Sequence, residues 1–192
     1  RRAPLAALKG YLAVLRRKRE PRALEGALRE AGRMEALLAG LLRLSRLEAL
    51  PPQRVPLDLR AFLEAQGLEV QGEGRVLADP ERLALAVENV VEDARRHGRL
   101  PVRAELSREG EGVWVWLVDA GPGFPEDLLP RVLEPFVHGG KGTGLGLALV
   151  AAVARAHGGR VRVENRGGAG VGLYLPLAPL KVSPGVPFGE GG

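Results

Sequence analysis

Apolar residues recur at helical spacing through the first quarter of the chain. Leu5, Leu8, Leu12 and Leu15 step by three and four residues, one stripe along one helix. The segment "RRKREPRA" interrupts it, and Pro21 suits the first turn of a second helix. There Leu24, Leu28, Ala31, Met34, Leu38, Leu41 and Leu42 make a second stripe, from about Arg22 to Ala49. Two such helices joined by a short turn form an antiparallel hairpin, which cannot enclose a core alone. A second copy completing a four-helix bundle would supply the missing side; packing on the rest of this chain is the other solution. The arms are unequal, about 42 Å against about 27 Å at 1.5 Å per residue, so an antiparallel match calls for about 10 residues before Arg1.

Beyond the linker "LPPQRVP" the pattern alternates between types. Asp58 can cap a short helix running to Gln66. "RVLA" reads as a strand, and Asp79–Pro80 starts a helix that lasts to about His97. "PVRAELSR" and "VWVWLVD" read as strands around the turn "EGEG"; after a loop and another helix come the strands "RVRVEN" and "VGLYLPL", joined by "RGGAG". A mixed sheet covered by helices on one face packs such elements. The fold class is therefore α+β: a helical hairpin over 1–50, a linker over 51–56 and an α/β sandwich over 57–179. The Pro/Gly-rich tail 180–192 is expected to be disordered. No internal repeat is visible.

Composition narrows the function classes. The 192 residues are 45% apolar and 27% charged, a globular balance. No apolar run approaches the ~18–20 residues that span a bilayer, so the chain is expected to be soluble and cytoplasmic, with membrane contact only through segments outside it. The absence of cysteine excludes disulfides and thiolate metal sites. The net charge of +5 is dispersed apart from Arg16–Arg19, and aromatics are 4%, which argues against nucleic acid as a partner. The excess of arginine over lysine points to a thermophilic or GC-rich source.

The chemistry gathers around "HGGKGTGLGLALVAAVARAHGG", His138–Gly159. A P-loop of the form GxxxxGK followed by Ser or Thr fails twice, since Pro135 and Gly142 stand where Gly and Ser/Thr are needed. A GxGxxG fingerprint fails at Leu147 or at Leu149, depending on its start, and no strand directly precedes it. What remains is "GTGLGL" opening a helix. Glycines let the backbone approach closely, and first-turn N–H groups with the helix dipole favour an anion.

"GTGLGL" follows "VDAGPGFP" (Val118–Pro125) and "EPF" (Glu134–Phe136), precedes "AHGGRVRVEN", and has "ENVVEDARRHG" (Glu88–Gly98) upstream on a helix. With these motifs in this order, residues 57–178 resemble the ATP-binding domain of sensor histidine kinases of two-component systems, within the GHKL superfamily. Residues 1–50, with "RAPLAALKGYLAVL" and "LLRLSRLEA", resemble their dimerisation and phosphotransfer hairpin. The resemblance implies ATP and Mg²⁺ as cofactors, a homodimer through the hairpin, and a response-regulator receiver domain as partner.

Residue roles follow from the same resemblance. Asp119 would accept from the adenine amino group, with Gly121 and Gly123 allowing the bend beside the base. Asn89 and Asp93 would line the phosphate site and hold Mg²⁺. The family usually has Asn at the position of Asp93, but a carboxylate oxygen also suits Mg²⁺, while adding negative charge beside a triphosphate. Arg96, where the family often has Lys, could meet a phosphate. Lys141 may be read as a phosphate contact or as a solvated lysine; Gly142, Thr143, Gly144, Leu145 and Gly146 would form the end of a short ATP lid and the anion-facing helix start. Phe136 matches a lid phenylalanine that packs the lid on the domain. His157 is expected to be structural, and His97 and His138 have no assigned role.

The family's phosphorylated histidine stands three residues before an Arg that corresponds to Arg2, hence upstream of Arg1, the segment that the unequal helices also call for. Ala3 stands where the family often has Thr or Asn, which implies weak phosphatase activity. The whole reads as the catalytic portion of an ATP-dependent protein-histidine kinase. The alternatives are a degenerate nucleotide-binding dimerisation module that signals by conformation, or a GHKL ATPase that drives a clamp.

Overall fold

The computed structural model describes residues 4–18, 21–137 and 143–177. Arg2, Ala3, His138, Lys141, Gly142 and the tail 180–192 lie outside the described residues. The architecture is α+β. Helices α1 (Pro4–Lys18) and α2 (Pro21–Ala49) pack against each other as a hairpin. Their contact is close: a Cβ on Gly26 would meet the Tyr11 ring at 2.5 Å. α2 ends where Leu50 N–H closes a last turn on the Arg46 carbonyl and Pro51–Pro52 forbid another.

The second region holds β1 (Val55–Asp58), α3 (Leu59–Ala65), β2 (Glu69–Gln71), β3 (Arg75–Ala78), α4 (Pro80–His97), β4 (Arg103–Glu109), β5 (Gly112–Val118), α5 (Gly146–Ala156), β6 (Arg160–Asn165) and β7 (Ala169–Pro176). β1 and β3 form a two-stranded sheet; the five-stranded sheet has the order β2-β4-β5-β7-β6. Only the β2–β4 pair is parallel within it. Val55 and Pro56, within the stretch that reads as linker, belong to β1. β1 and β2 were not predicted as strands. Both are short, and β2, Glu-Val-Gln, buries only Val70, too little for a period to register.

The helices lie on one face of the large sheet, as the pattern implies. Val113, Val115 and Leu117 of β5 point to them and join Leu83, Val87 and Val90 of α4 and Val150 and Val153 of α5 in one core. The other face carries Trp114, Trp116 and Tyr174 under a cover of arginine side chains. β5 is thus buried on both faces along its whole length, although half of its cover is guanidinium.

α2 also reaches the second region. Leu47 is buried in the core, with Leu44 packed against it. Arg82 on α4 donates to the carbonyls of Leu47, Leu50 and Pro51 at 3.1, 2.7 and 3.2 Å, anchoring the end of the hairpin. Arg82 is held in turn by the buried Asp79 carboxylate (Nε–Oδ2 3.4 Å). Further back, Leu5, Leu12, Leu24, Leu28, Leu38, Leu41 and Leu42 are exposed, so this chain alone leaves most of the two stripes uncovered.

Candidate functional site

A cavity of about 550 Å³ lies between α4, the start of α5, the loop after β5 and the flank of α2. That volume is ordinary for a small-molecule site. Each wall has a local cause. α4 begins at Asp79, whose Oδ1 accepts from Glu81 and Arg82 N–H, with Pro80 in the first turn. It buries Leu83, Val87, Val90 and Ala94, which turns Asn89, Glu92, Asp93 and Arg96 to the cavity. The polar face predicted from spacing is thus one wall of the site.

Asp119 follows β5 and is buried. Its Oδ1 accepts from Gly121 N–H at 2.9 Å and Ala169 N–H at 2.8 Å. Its Oδ2 lies against Gly98 at the cavity wall and accepts from no described donor. Two backbone donors therefore orient the carboxylate and leave one oxygen for an external N–H. The bend is crowded: a Cβ on Gly98 would run into Oδ2, one on Gly121 would meet the Gly98 backbone at 2.9 Å, and one on Gly168 would overlap the Asp119 carbonyl. Gly123 has φ +92°, which a side chain rarely tolerates.

Asn165, at the end of β6, clips this loop by accepting from Phe124 N–H at 2.7 Å and donating to Phe124 O at 3.0 Å. Sequence reasoning missed it. Its partner is 41 residues away, and the only local signal is its place before a glycine run.

The start of α5 faces the same space. Leu145 is its N-cap and offers no side-chain oxygen, so first-turn N–H groups remain available to an anion. Gly146 packs beside Asn89, and a Cβ there would sit 3.4 Å from Asn89 Oδ1. Asn89 Nδ2 donates to Leu85 O at 2.8 Å, which aims Oδ1 away from its own helix. Thr143 Oγ1 accepts from Leu145 N–H at 3.4 Å, and Gly144 has φ +71°.

The structure departs from expectation at Phe136. Phe136 does not pack down: it is 52% exposed and absent from the cavity wall. Its N–H donates to Gly144 O at 2.8 Å, and its φ is +67°. Arg96 lines the cavity as expected, with Nε 2.8 Å from Glu92 Oε1 in a half-exposed pair. Lys141 and Gly142 lie outside the described residues.

Electrostatics single out Asp93. Its carboxyl is pushed above the usual range mainly by burial; His97 and Arg96 oppose the shift and Asp119 adds to it. A divalent cation would relieve that penalty. Among the described residues no group of three His, Asp or Glu could hold a metal by itself. Asn89 and Asp93, one helical turn apart, both line the cavity, and their side-chain oxygens could hold Mg²⁺ if phosphate oxygens and water completed its shell.

Comparison with known proteins points to one family. Residues 78–179 match the family described as "Histidine kinase-, DNA gyrase B-, and HSP90-like ATPase". Residues 2–50 match the "His Kinase A (phospho-acceptor) domain". The signal transduction histidine-protein kinase AfsQ2 of Streptomyces coelicolor is 32% identical over 131 residues, 64% of this chain and 24% of that protein. The ATP binding domain of PrrB from Mycobacterium tuberculosis is 33% identical, with a TM-score of 0.53 over 65% of this chain and 98% of that one. The Acinetobacter baumannii histidine kinase AdeS, 21% identical, shares the fold with a TM-score of 0.67 over 91% of this chain and 95% of that one. The matched stretches span about a quarter of the length of the first curated relatives. The phospho-acceptor and ATPase family matches follow one another along one chain, which belongs to the sensor histidine kinases of two-component systems.

Proposed function

We propose that this region binds ATP–Mg²⁺ in the α4–α5 cavity and serves as the catalytic portion of a protein-histidine kinase. The observation that carries the reading is the buried Asp119 carboxylate, with Oδ1 held by two backbone N–H groups and Oδ2 open beside Gly98. In this reading ATP supplies the γ-phosphoryl group and Mg²⁺ neutralises charge on its oxygens.

The chain's own contribution is positioning and charge. Asp119 Oδ2 accepts from the adenine amino group. Asn89 and Asp93 offer oxygens to the metal, and the first turn of α5, opened by Gly144 and Gly146, presents N–H groups to phosphate. Val132, Leu145 and Leu149 exclude water from one side of the cavity.

None of the three histidines lies in residues 1–50, so in this reading the acceptor is a histidine before Arg1. The phosphoryl group then passes to an aspartate on a response-regulator receiver domain. The exposed leucines of α1 and α2 favour a homodimer through the hairpin, closed as a four-helix bundle. No helix among the described residues is long and apolar enough to cross a membrane.

The test is incubation of an upstream-extended protein with γ-labelled ATP. Acid-labile, base-stable label on the protein is expected, and its loss when a receiver domain is added. Steady ATP hydrolysis with no labelled protein would overturn the kinase reading in favour of a clamp-type ATPase.

A further inference from the structure

The nucleotide cavity is not built from the ATPase-type region alone. Ala36, Ala39, Gly40 and Arg43 of α2 form part of its wall. These positions recur at three- and four-residue steps, one flank of the helix. The small side chains bring the α2 backbone close: a Cβ on Gly40 would come within 2.7 Å of Leu145 Cδ1, at the residue that caps α5. One turn further on, Leu44 and Leu47 insert into the core, and Arg82 grips the carbonyls at the helix end. The rotation of α2 about its axis is thereby set, and with it the direction of Arg43.

Arg43 also borders an adjoining groove of about 430 Å³ along α4, together with Asn89 and Glu92. It therefore stands where the cavity opens past the proposed metal ligands. The charge balance gives it weight. Glu92, Asp93 and Asp119 line the cavity against the guanidinium groups of Arg43 and Arg96. Arg96 is bound to Glu92 at 2.8 Å. Arg43 makes no ion pair or side-chain hydrogen bond with any described residue, so among the described residues its guanidinium stands ready for an anionic ligand.

We infer that Arg43, on the second helix of the hairpin, is a phosphate-binding residue of the nucleotide cavity, so that nucleotide affinity depends on the hairpin being docked. The inference rests on the nucleotide reading above and extends it: the hairpin is a wall of the site as well as a neighbour of it. Undocking α2 withdraws a positive charge from the phosphates, and an occupied site favours the docked arrangement, since the coupling is reciprocal.

The experiment is titration of the 192-residue chain with ATP and with adenosine by calorimetry, comparing wild type, Arg43→Ala, Gly40→Leu and the double variant. Arg43 is exposed and alanine is the better helix former, so Arg43→Ala keeps the fold; circular dichroism verifies it. Arg43→Ala is expected to weaken ATP about tenfold and leave adenosine unchanged, as loss of a charge-assisted phosphate contact requires. Gly40→Leu displaces α2 from Leu145 and weakens ATP at least as much, and adding Arg43→Ala to it costs nothing further. Unchanged ATP affinity in Arg43→Ala, equal losses for ATP and adenosine, or additive losses in the double variant would each overturn the inference. A wild-type chain that binds neither ligand overturns the nucleotide reading itself and this inference with it.

Discussion

His157 Nε2 accepts a hydrogen bond from the backbone N–H of Asp79 at 2.8 Å, joining residues 78 positions apart. Because Nε2 must offer its lone pair, the ring proton sits on Nδ1 and is donated to Val153 O at 2.7 Å. The buried imidazole thus ties the end of α5 to the corner from which α4 starts, and only its neutral form fits. Burial is the main cause holding its pKa below the usual histidine value; the Val153 carbonyl opposes this, Arg54 adds to it, Asp79 opposes it and Arg82 adds to it. A folded-state pKa below the unfolded one means that protons bind the unfolded chain more readily. This contribution is complete above the unfolded value of about 6.5 and is lost as pH falls from there towards the folded value, with a slope of at most about 1.4 kcal/mol per pH unit. Urea denaturation at pH 7.5 and 5.5 is expected to show that loss in wild type and a smaller one in His157→Phe. At pH 7.5 the same substitution leaves the Asp79 N–H unpaired and costs about 1–3 kcal/mol.

Gly98 and Asp119 make a second dependence. Gly98 caps the end of α4 at a negative φ of −108°. A Cβ there would collide with Asp119 Oδ2, while Oδ1 is pinned by Gly121 and Ala169. Gly98→Ala is expected to cost about 1–3 kcal/mol of stability through overpacking. It also turns Oδ2 from the cavity, and affinity for adenosine should fall at least about tenfold, the scale of one buried hydrogen bond. Calorimetry with adenosine checks this, and retained affinity would remove Asp119 from base recognition.

What could be read in the chain divides along physical lines. The core of α4, the caps at Asp58 and Asp79, the alternation in β5 and the glycines beside Asp119 are local patterns with local causes. The elements missed are those whose cause is distant. β2 is three residues long and exists because β4 pairs with it. Asn165 matters through Phe124, and Arg43 through a cavity that its own helix only flanks. Aromatics are 4% of the residues, yet both tryptophans sit stacked together, 5.5 Å between centroids. Composition carries the count but not the placement. Phe136 is placed by motif alone, and the structure leaves it 52% exposed at a positive φ.

Asp93 invites a test of the metal. Its raised pKa means that the ionised form is disfavoured in the fold, first by burial. That penalty is complete above the folded pKa and disappears as pH falls below the unfolded value. Asp93→Asn is therefore expected to stabilise the ligand-free chain at pH 7 relative to wild type. Beside a triphosphate, removing one like charge is worth about 1–2 kcal/mol, and ATP in EDTA should bind Asp93→Asn roughly five- to thirtyfold more tightly. Excess Mg²⁺ should close or reverse the gap, because the carboxylate is the better cation ligand. A gap that Mg²⁺ leaves unchanged would take Asp93 out of the metal site.

The arginine-covered face of the sheet offers a clean optical readout, since the chain's two tryptophans both lie there. Trp114 and Trp116 are 3% and 5% exposed, yet no helix covers them. Arg166 lies 4.4 Å from the Trp116 ring centroid and Arg162 5.0 Å from that of Trp114; Arg160 is 4.2 Å from Tyr174. Arg166 is held over its ring by Glu105 at 3.1 Å and Glu164 at 3.4 Å. A cation–π contact of this kind contributes about 0.5–1 kcal/mol, and the arginine stem shields further apolar surface. Arg166→Ala is expected to raise acrylamide quenching, shift tryptophan emission to the red and cost about 1 kcal/mol or slightly more. Arg166→Met keeps the stem without the charge; it should restore the shielding but not the cation–π share of stability. If both variants quench like wild type, the rings are protected by the backbone of the neighbouring strands rather than by their arginine cover.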